Sequence, residues 1–304
     1  MKRRDFMKTG AFVTGATAVS ASSQAASMLP PEKRSFKMKY APHFGMFKSH
    51  AGDSIIDQLN FMADAGFEAL EDNGMMKRPV EMQEKIGQTL SDRGMDMGVF
   101  VIDKGGNGAN TLAAGKQEHM DVFLDGCKRA VEVAKRCNAT WMTVVPGNYQ
   151  RDIPIGIQTA NVIEALRQAA EIFEPHDLVM VLEPLSDTPD LFLRYSDQTY
   201  LICKGVNSSS CKILYDIYHM QKNEGHLIRN IDLTWDEIAY FQIGDNPGRK
   251  EPTTGEINYK NVFQHIHEKG YRGIMGMEHG NSMPGKEGEI KLIEAYAEVD
   301  NFEA

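Results

Sequence analysis

The 304-residue chain predicts an α/β fold, a single (β/α)₈ TIM barrel, and three observations carry that expectation. Short apolar or β-branched runs alternate with longer amphipathic ones eight times from residue 36 onward. The repeat is roughly 33 residues per unit, the size at which eight βα units close a barrel. No linker interrupts the alternation, so one domain is expected over residues 27–304. The alternative, a doubly wound open sheet, calls for a glycine-rich phosphate fingerprint after its first strand, and none stands there.

The elements follow in order. A first strand at 37–43 runs into His43 and Phe44 and is followed by a helix at 54–65. The second strand, 67–71, meets the turn Glu-Asp-Asn-Gly at 71–74, and a helix at 79–93 follows. Strand 96–102 leads into the cluster Gly105, Gly106 and Gly108, read as a flexible loop over the barrel mouth, before a helix at 116–136. Then come strand 140–145 with helix 156–174, strand 178–183 with helix 196–205, and strand 212–217 with helix 226–238. The last two units pair strand 239–243 with helix 258–269 and strand 273–278 with helix 286–298.

Residues 1–26 read as a targeting segment. Lys-Arg-Arg-Asp-Phe-Met-Lys at 2–8 precedes a small, weakly apolar stretch to Ala21 and then Ser-Ser-Gln-Ala-Ala at 22–26, the order of a cleavable export signal. Arg3 and Arg4 with Phe6 resemble a twin-arginine signal, although Lys2 stands where Ser or Thr is usual. An exported, periplasmic location in a bacterium follows as an expectation. The apolar run is well short of the ~20 residues a spanning helix needs, so no stable membrane insertion is expected.

The formal charge is −9, from 33 Lys+Arg against 42 Asp+Glu, and the targeting segment carries a net positive part of the total. A duplex-binding surface needs a basic stripe that this balance does not offer, so no nucleic-acid partner is expected. The partner is instead a small molecule, and a homo-oligomer is compatible with the composition. Cys127, Cys137, Cys203 and Cys211 show no Cys-x-x-Cys spacing and are expected as buried free thiols.

Four strand ends carry oxygen ligands. The fifth strand ends Val-Leu-Glu-Pro at 181–184 and the sixth Leu-Tyr-Asp-Ile-Tyr-His at 214–219. The seventh ends Tyr-Phe-Gln-Ile-Gly-Asp at 240–245 and the eighth Met-Gly-Met-Glu-His-Gly at 275–280. Glu183, Asp216, Gln242 and Glu278 therefore recur once per βα unit, on the ends where barrel active sites form. Period-two alternation points Glu183 inward with Val181, Asp216 with Leu214 and Glu278 with Ile274. Three carboxylates converging in a low-dielectric mouth repel one another unless a cation neutralises them. A divalent metal is the economical solution, and oxygen donors with one amide and no thiolate favour Mg²⁺ or Mn²⁺, with Co²⁺ and Zn²⁺ also compatible.

Asp-Ile-Tyr-His-Met-Gln at 216–221, Gln-Ile-Gly-Asp-Asn-Pro-Gly-Arg at 242–249 and Glu-Pro-Thr-Thr-Gly-Glu-Ile-Asn-Tyr at 251–259 resemble the hydroxypyruvate isomerase family of the xylose-isomerase-like barrels. The likeness is strong from about 178 to 280 and diffuse before it. It implies metal ligation by Glu183, Asp216, Gln242 and Glu278, with Glu183 and Glu278 as the two catalytic acids. Isomerising a hydroxy aldehyde and its ketone removes a proton α to a carbonyl, which asks for a base on one face and stabilisation of enediolate oxygens. Two carboxylates on strands 5 and 8 suit that task as a clamp.

His219, three residues past Asp216, is a candidate donor to a substrate oxygen, and Arg249 offers a planar fork of donors to a carboxylate or sugar hydroxyl. His43 and Phe44 are candidate mouth-lining residues, while Glu251 and Glu256 are assigned to loop fixing. Ser186, residues 71–74 and residues 103–108 depart from the family, so the substrate is read broadly as a small sugar or keto acid. Competing readings are a ketose 3-epimerase, a keto-sugar lyase or hydratase on the same barrel, a catalytically silent sugar-binding barrel, and an abasic-site nuclease. The last lacks the extra His ligands and basic groove it needs.

Overall fold

The computed structural model describes residues 33–303, so the targeting segment lies outside the described residues. Nine strand segments run parallel: β1 Lys39–Ala41, β2 Ala69–Leu70, β3 Asp96–Met97, β4 Phe100–Val101, β5 Trp141–Val144, β6 Val179–Leu182, β7 Cys211–Asp216, β8 Ile238–Gln242 and β9 Ile274–Gly276. Seven of them form a sheet in the order β1-β9-β8-β7-β6-β5-β4, and β2 pairs with β3. A parallel bridge between His43 and Glu71 joins β1 to β2, and another between Met97 and Ala139 joins β3 to the start of the β5 unit. The ring thus closes around eight strand positions, as the repeat predicts.

The extra segment has a local cause. The strand expected at 96–102 is split at Gly98 and Val99 because the Tyr240 side chain comes up against it from across the barrel. A Cβ on Gly98 would lie 2.4 Å from the Tyr240 hydroxyl and 3.0 Å from the Leu70 carbonyl oxygen, so glycine is required there. The two halves then serve different neighbours, β3 pairing with β2 and β4 with β5.

The helices are α1 Lys48–Ala51, α2 Ile55–Ala65, α3 Val80–Arg93, α4 Gln117–Cys137, α5 Ile155–Phe173, α6 Ser196–Val206, α7 Ile217–Asn223, α8 Leu227–Thr234, α9 Tyr259–Glu268 and α10 Gly285–Val299. Eight of these correspond to expected helices; α1 and α7 are short additions in loops. The helix expected at 226–238 ends earlier, in a 3₁₀ turn at Trp235–Glu237, and β8 begins at Ile238.

Two apolar layers result. Ala41, Ala69, Val99, Val181, Leu214, Tyr240 and Ile274 fill the barrel interior. The larger layer lies between sheet and helices, where side chains of the opposite parity such as Tyr215, Phe241 and Met275 meet Ile202, Phe263 and Leu292. All four cysteines are free and buried. Among the described residues no helix is long and apolar enough to cross a membrane.

Candidate functional site

The interior parity continues upward into the mouth. Val181 is followed inward by Glu183, Leu214 by Asp216, Tyr240 by Gln242, and Ile274 by Gly276 and then Glu278. Asp216 lies opposite Gln242 in the β7–β8 ladder, and Gln242 lies opposite Gly276 in the next. One donor atom from each of Glu183, Asp216, His219 and Glu278 falls within 4.8 Å of the others. Glu183, Asp216, His219 and Gln242 are buried, and Glu278 is half-buried at the rim.

Asp216 has two jobs, divided between its oxygens. Oδ1 caps α7 by accepting from the backbone N–H groups of Tyr218 at 2.8 Å and His219 at 3.3 Å. That capped turn brings the His219 ring back over the mouth. Oδ2 faces the cluster, 3.5 Å from His219 Nε2.

The ring of His219 is oriented by Ser186, which the sequence marks only as a departure from the family. The backbone N–H of Ser186 donates to His219 Nδ1 at 3.2 Å, and the Ser186 hydroxyl lies 2.7 Å from the same nitrogen. Burial lowers the proton affinity of His219, against the Asp216 carboxylate, and a ring nitrogen that accepts a backbone N–H carries no proton of its own. With Nδ1 accepting, the single proton sits on Nε2. His219 therefore presents a donor to the mouth.

Arg249 arrives from the loop after β8. Asp245 organises that loop by accepting from the backbone N–H groups of Asn246 at 2.9 Å, Gly255 at 2.8 Å and Ile257 at 3.1 Å. Arg249 Nη2 then reaches Glu278 Oε2 at 2.8 Å and Asp216 Oδ2 at 3.2 Å. Glu251 holds the next loop by accepting from Ser282 N–H at 2.8 Å, and Glu256 accepts from Gln221 at 3.3 Å, the loop-fixing roles expected of both.

Burial, then the Glu278 and Asp216 carboxylates, push the Glu183 carboxyl well above the ordinary range, against Arg249. Burial likewise raises Glu278 to about 7, with Arg249 opposing and Asp216 and Glu71 adding to the rise. Arg249 thus offsets only part of the converging negative charge.

A test of whether a cation fits comes from atoms left without partners. Among the described residues, buried Glu183 Oε1 and Gln242 Oε1 have no hydrogen-bond partner. Two orphaned acceptors beside two more carboxylates make an oxygen-donor set of the kind hard divalent cations take. His219 Nε2, also unpartnered, is a donor and falls outside that set.

The mouth opens into a cleft of about 1040 Å³ lined by His43, Phe44, Asn73, Arg249, Glu278 and Asn281 among others. His43 and Phe44 therefore line it, as expected. Asn73 was read only as part of a departing loop, yet its Nδ2 donates to Glu278 Oε1 at 2.7 Å. Glu71 was likewise left in that loop. It is fully buried and accepts from His43, Tyr240 and Gln242. The signal was present: Ala41 and Ala69 are interior, and the same alternation carries His43 and Glu71 inward. The 103–108 loop is organised around a cation, since Lys104 Nζ donates to the carbonyls of Gly106 at 3.2 Å and Asn107 at 3.4 Å, and also to that of Ala109.

The barrel defines a fold class, and comparison with known proteins agrees. Residues 59–298 match the xylose isomerase-like TIM barrel family, and the chain belongs to it. It is 34% identical over 163 residues to the hydroxypyruvate isomerase of Escherichia coli, a match covering 52% of this chain and 62% of that one. It is 32% identical to the 2-oxo-tetronate isomerase of Haemophilus influenzae over 237 residues, covering 74% of this chain and 87% of that enzyme. Among solved structures, 3-keto-D-glucoside 4-epimerase from Escherichia coli superposes with a TM-score of 0.72 at 17% identity, over 88% of this chain and all of that one. That likeness concerns the fold alone.

Proposed function

We propose that this chain is a divalent-metal-dependent isomerase of a small hydroxy-carbonyl compound, a keto acid or sugar, acting through an enediolate. The observation that carries the reading is the pair of buried, unpartnered oxygens, Glu183 Oε1 and Gln242 Oε1, with Glu183 clustered with Asp216 and Glu278 and with Gln242 opposite Asp216 in the β7–β8 ladder. The isomerases of Escherichia coli and Haemophilus influenzae named above support the reaction class. Glu183, Asp216, Gln242 and Glu278 are the residues that would hold the cation, with Mg²⁺ or Mn²⁺ favoured by the donor chemistry. When bound it neutralises the converging acids and polarises a carbonyl or hydroxyl oxygen.

The protein's own groups do the rest. Glu183 follows β6 and Glu278 follows β9; burial raises the proton affinity of both carboxyls, that of Glu278 to about 7, and an acid so raised can both take and return a carbon-bound proton. His219 Nε2–H donates to an oxygen that gains negative charge as that proton leaves. Arg249 and Asn73 hold the Glu278 carboxylate, one at each oxygen. Residues 1–26 are proposed to direct the mature enzyme to an exported compartment.

The test is solvent exchange. With Mn²⁺ or Mg²⁺, the mature protein should exchange the proton α to the carbonyl of a small ketose or keto acid for deuterium. Glu183→Gln and Glu278→Gln should each slow exchange by more than about 100-fold. Wild-type exchange rates in both variants would refute the two-carboxylate mechanism. Product analysis of the exchanging substrate then separates isomerase from epimerase, lyase or hydratase, and no exchange across a broad panel points to a silent binding barrel.

A further inference from the structure

Glu71 ends the β2 strand inside the barrel with no exposure to solvent, a costly place for a carboxylate unless every lone pair is used. Its Oε1 accepts from Gln242 Nε2 at 2.7 Å and lies 2.8 Å from His43 Nε2, and its Oε2 accepts from the Tyr240 hydroxyl at 2.7 Å. Burial opposes a charge on His43, but Glu71, with Glu278 and Asp72 adding to it, raises the proton affinity of the ring. The seat is cut for this side chain: a Cβ on Gly276, in β9 beyond the intervening β1, would come within 1.7 Å of Glu71 Oε2.

The consequence falls on Gln242. A primary amide can present either its oxygen or its nitrogen to a given neighbour, and rotation by half a turn exchanges them. Both Glu71 oxygens act as acceptors, Oε2 of the Tyr240 hydroxyl and Oε1 of the Gln242 amide, so the amide turns Nε2 toward Glu71. Oε1 is then directed to the opposite side, where it is buried and without a partner.

We propose that Glu71 is a positioning residue which fixes the orientation of the Gln242 amide and so presents Gln242 Oε1, rather than its NH₂, to the cation site. This rests on the metal-dependent reading above. Without the carboxylate, the flipped amide places two N–H groups where a cation-facing oxygen is needed. Gly276 and Tyr240 hold Glu71 from the far side, and His43 connects the assembly to the cleft.

The experiment measures Mn²⁺ dissociation constants by calorimetry on the metal-stripped chain, with circular dichroism in chelator to confirm folding. Glu71→Met should weaken Mn²⁺ binding by roughly 10- to 100-fold, the range for a group that orients a ligand. Glu71→Asp keeps the charge but withdraws the carboxylate by one methylene, and it should lose affinity in the same direction if the methionine variant does not fold. Because Glu71 acts through residue 242, adding Glu71→Met to Gln242→Met should cost no further affinity. Wild-type affinity in a folded Glu71→Met or Glu71→Asp variant overturns the proposal, as does a full extra loss in the double variant, which would make Glu71 a ligand in its own right. A wild-type chain that binds no Mn²⁺ removes the metal reading itself, and this proposal with it.

Discussion

Ser186 N–H donates to His219 Nδ1 at 3.2 Å, and that one contact decides what the histidine offers the mouth. A ring accepting at Nδ1 carries its proton on Nε2, so it can donate to a substrate oxygen and cannot serve as a metal ligand. His219→Ala should accordingly leave Mn²⁺ affinity within a few-fold of wild type while lowering kcat roughly 10- to 100-fold, the worth of a hydrogen bond to a charged group. Calorimetry beside turnover checks this. Metal affinity that collapses with His219→Ala would make the residue a ligand.

Asp216→Asn separates the two oxygens of that side chain. Asparagine caps helices about as well as aspartate, so the turn held by Oδ1 should persist and the metal-free melting temperature should move by no more than about 4 °C. The lost charge facing the cluster should weaken Mn²⁺ by more than about 100-fold, beyond the range seen for groups that merely orient ligands. Thermal melts in chelator, compared with Mn²⁺ calorimetry, give both numbers. A variant that unfolds would show that Asp216 is chiefly structural.

Lys104 supplies a pH test remote from the strand-end acids. Burial lowers its amine from the ordinary lysine value to about 8. Between pH 8 and the unfolded value of about 10.4 the unfolded chain binds the proton and the folded chain does not, so this residue's contribution to stability rises with pH. Below pH 8 both states are charged and the cost of burying the ammonium is fully present. Denaturant melts of wild type and Lys104→Met should show a stability difference that shifts in favour of wild type from pH 8 to 10. A difference that stays constant over that range would mean that the buried amine keeps its usual affinity.

The proposal of export rests on residues outside the described part of the chain. Replacing Arg3 and Arg4 by lysine should leave unprocessed precursor in the cytoplasm of a bacterial host, scored by fractionation and the size of the product. Unchanged export of that variant would assign the segment to a general secretory route.

The periodicities decided much of this molecule by themselves. Eight alternations of apolar strand and amphipathic helix read correctly as a barrel, because burial on both faces of a parallel sheet leaves a pattern in the chain. Parity along single strands also placed Glu183, Asp216 and Glu278 inside, since a strand alternates its faces whatever lies across from it. What no single strand carries is the identity of a neighbour several units away. The break in the third strand depends on the Tyr240 hydroxyl reaching Gly98, and the tautomer of His219 on a backbone N–H at Ser186. Glu71 is the clearest case. Its inward parity was legible from Ala69, but its partners come from β1, β8 and β9, 28 to more than 200 residues away, and only closure of the ring brings Gln242 within 2.7 Å of it. Local sequence sets which face a side chain takes, whereas hydrogen bonds across a closed barrel join residues whose separation along the chain leaves no periodic trace.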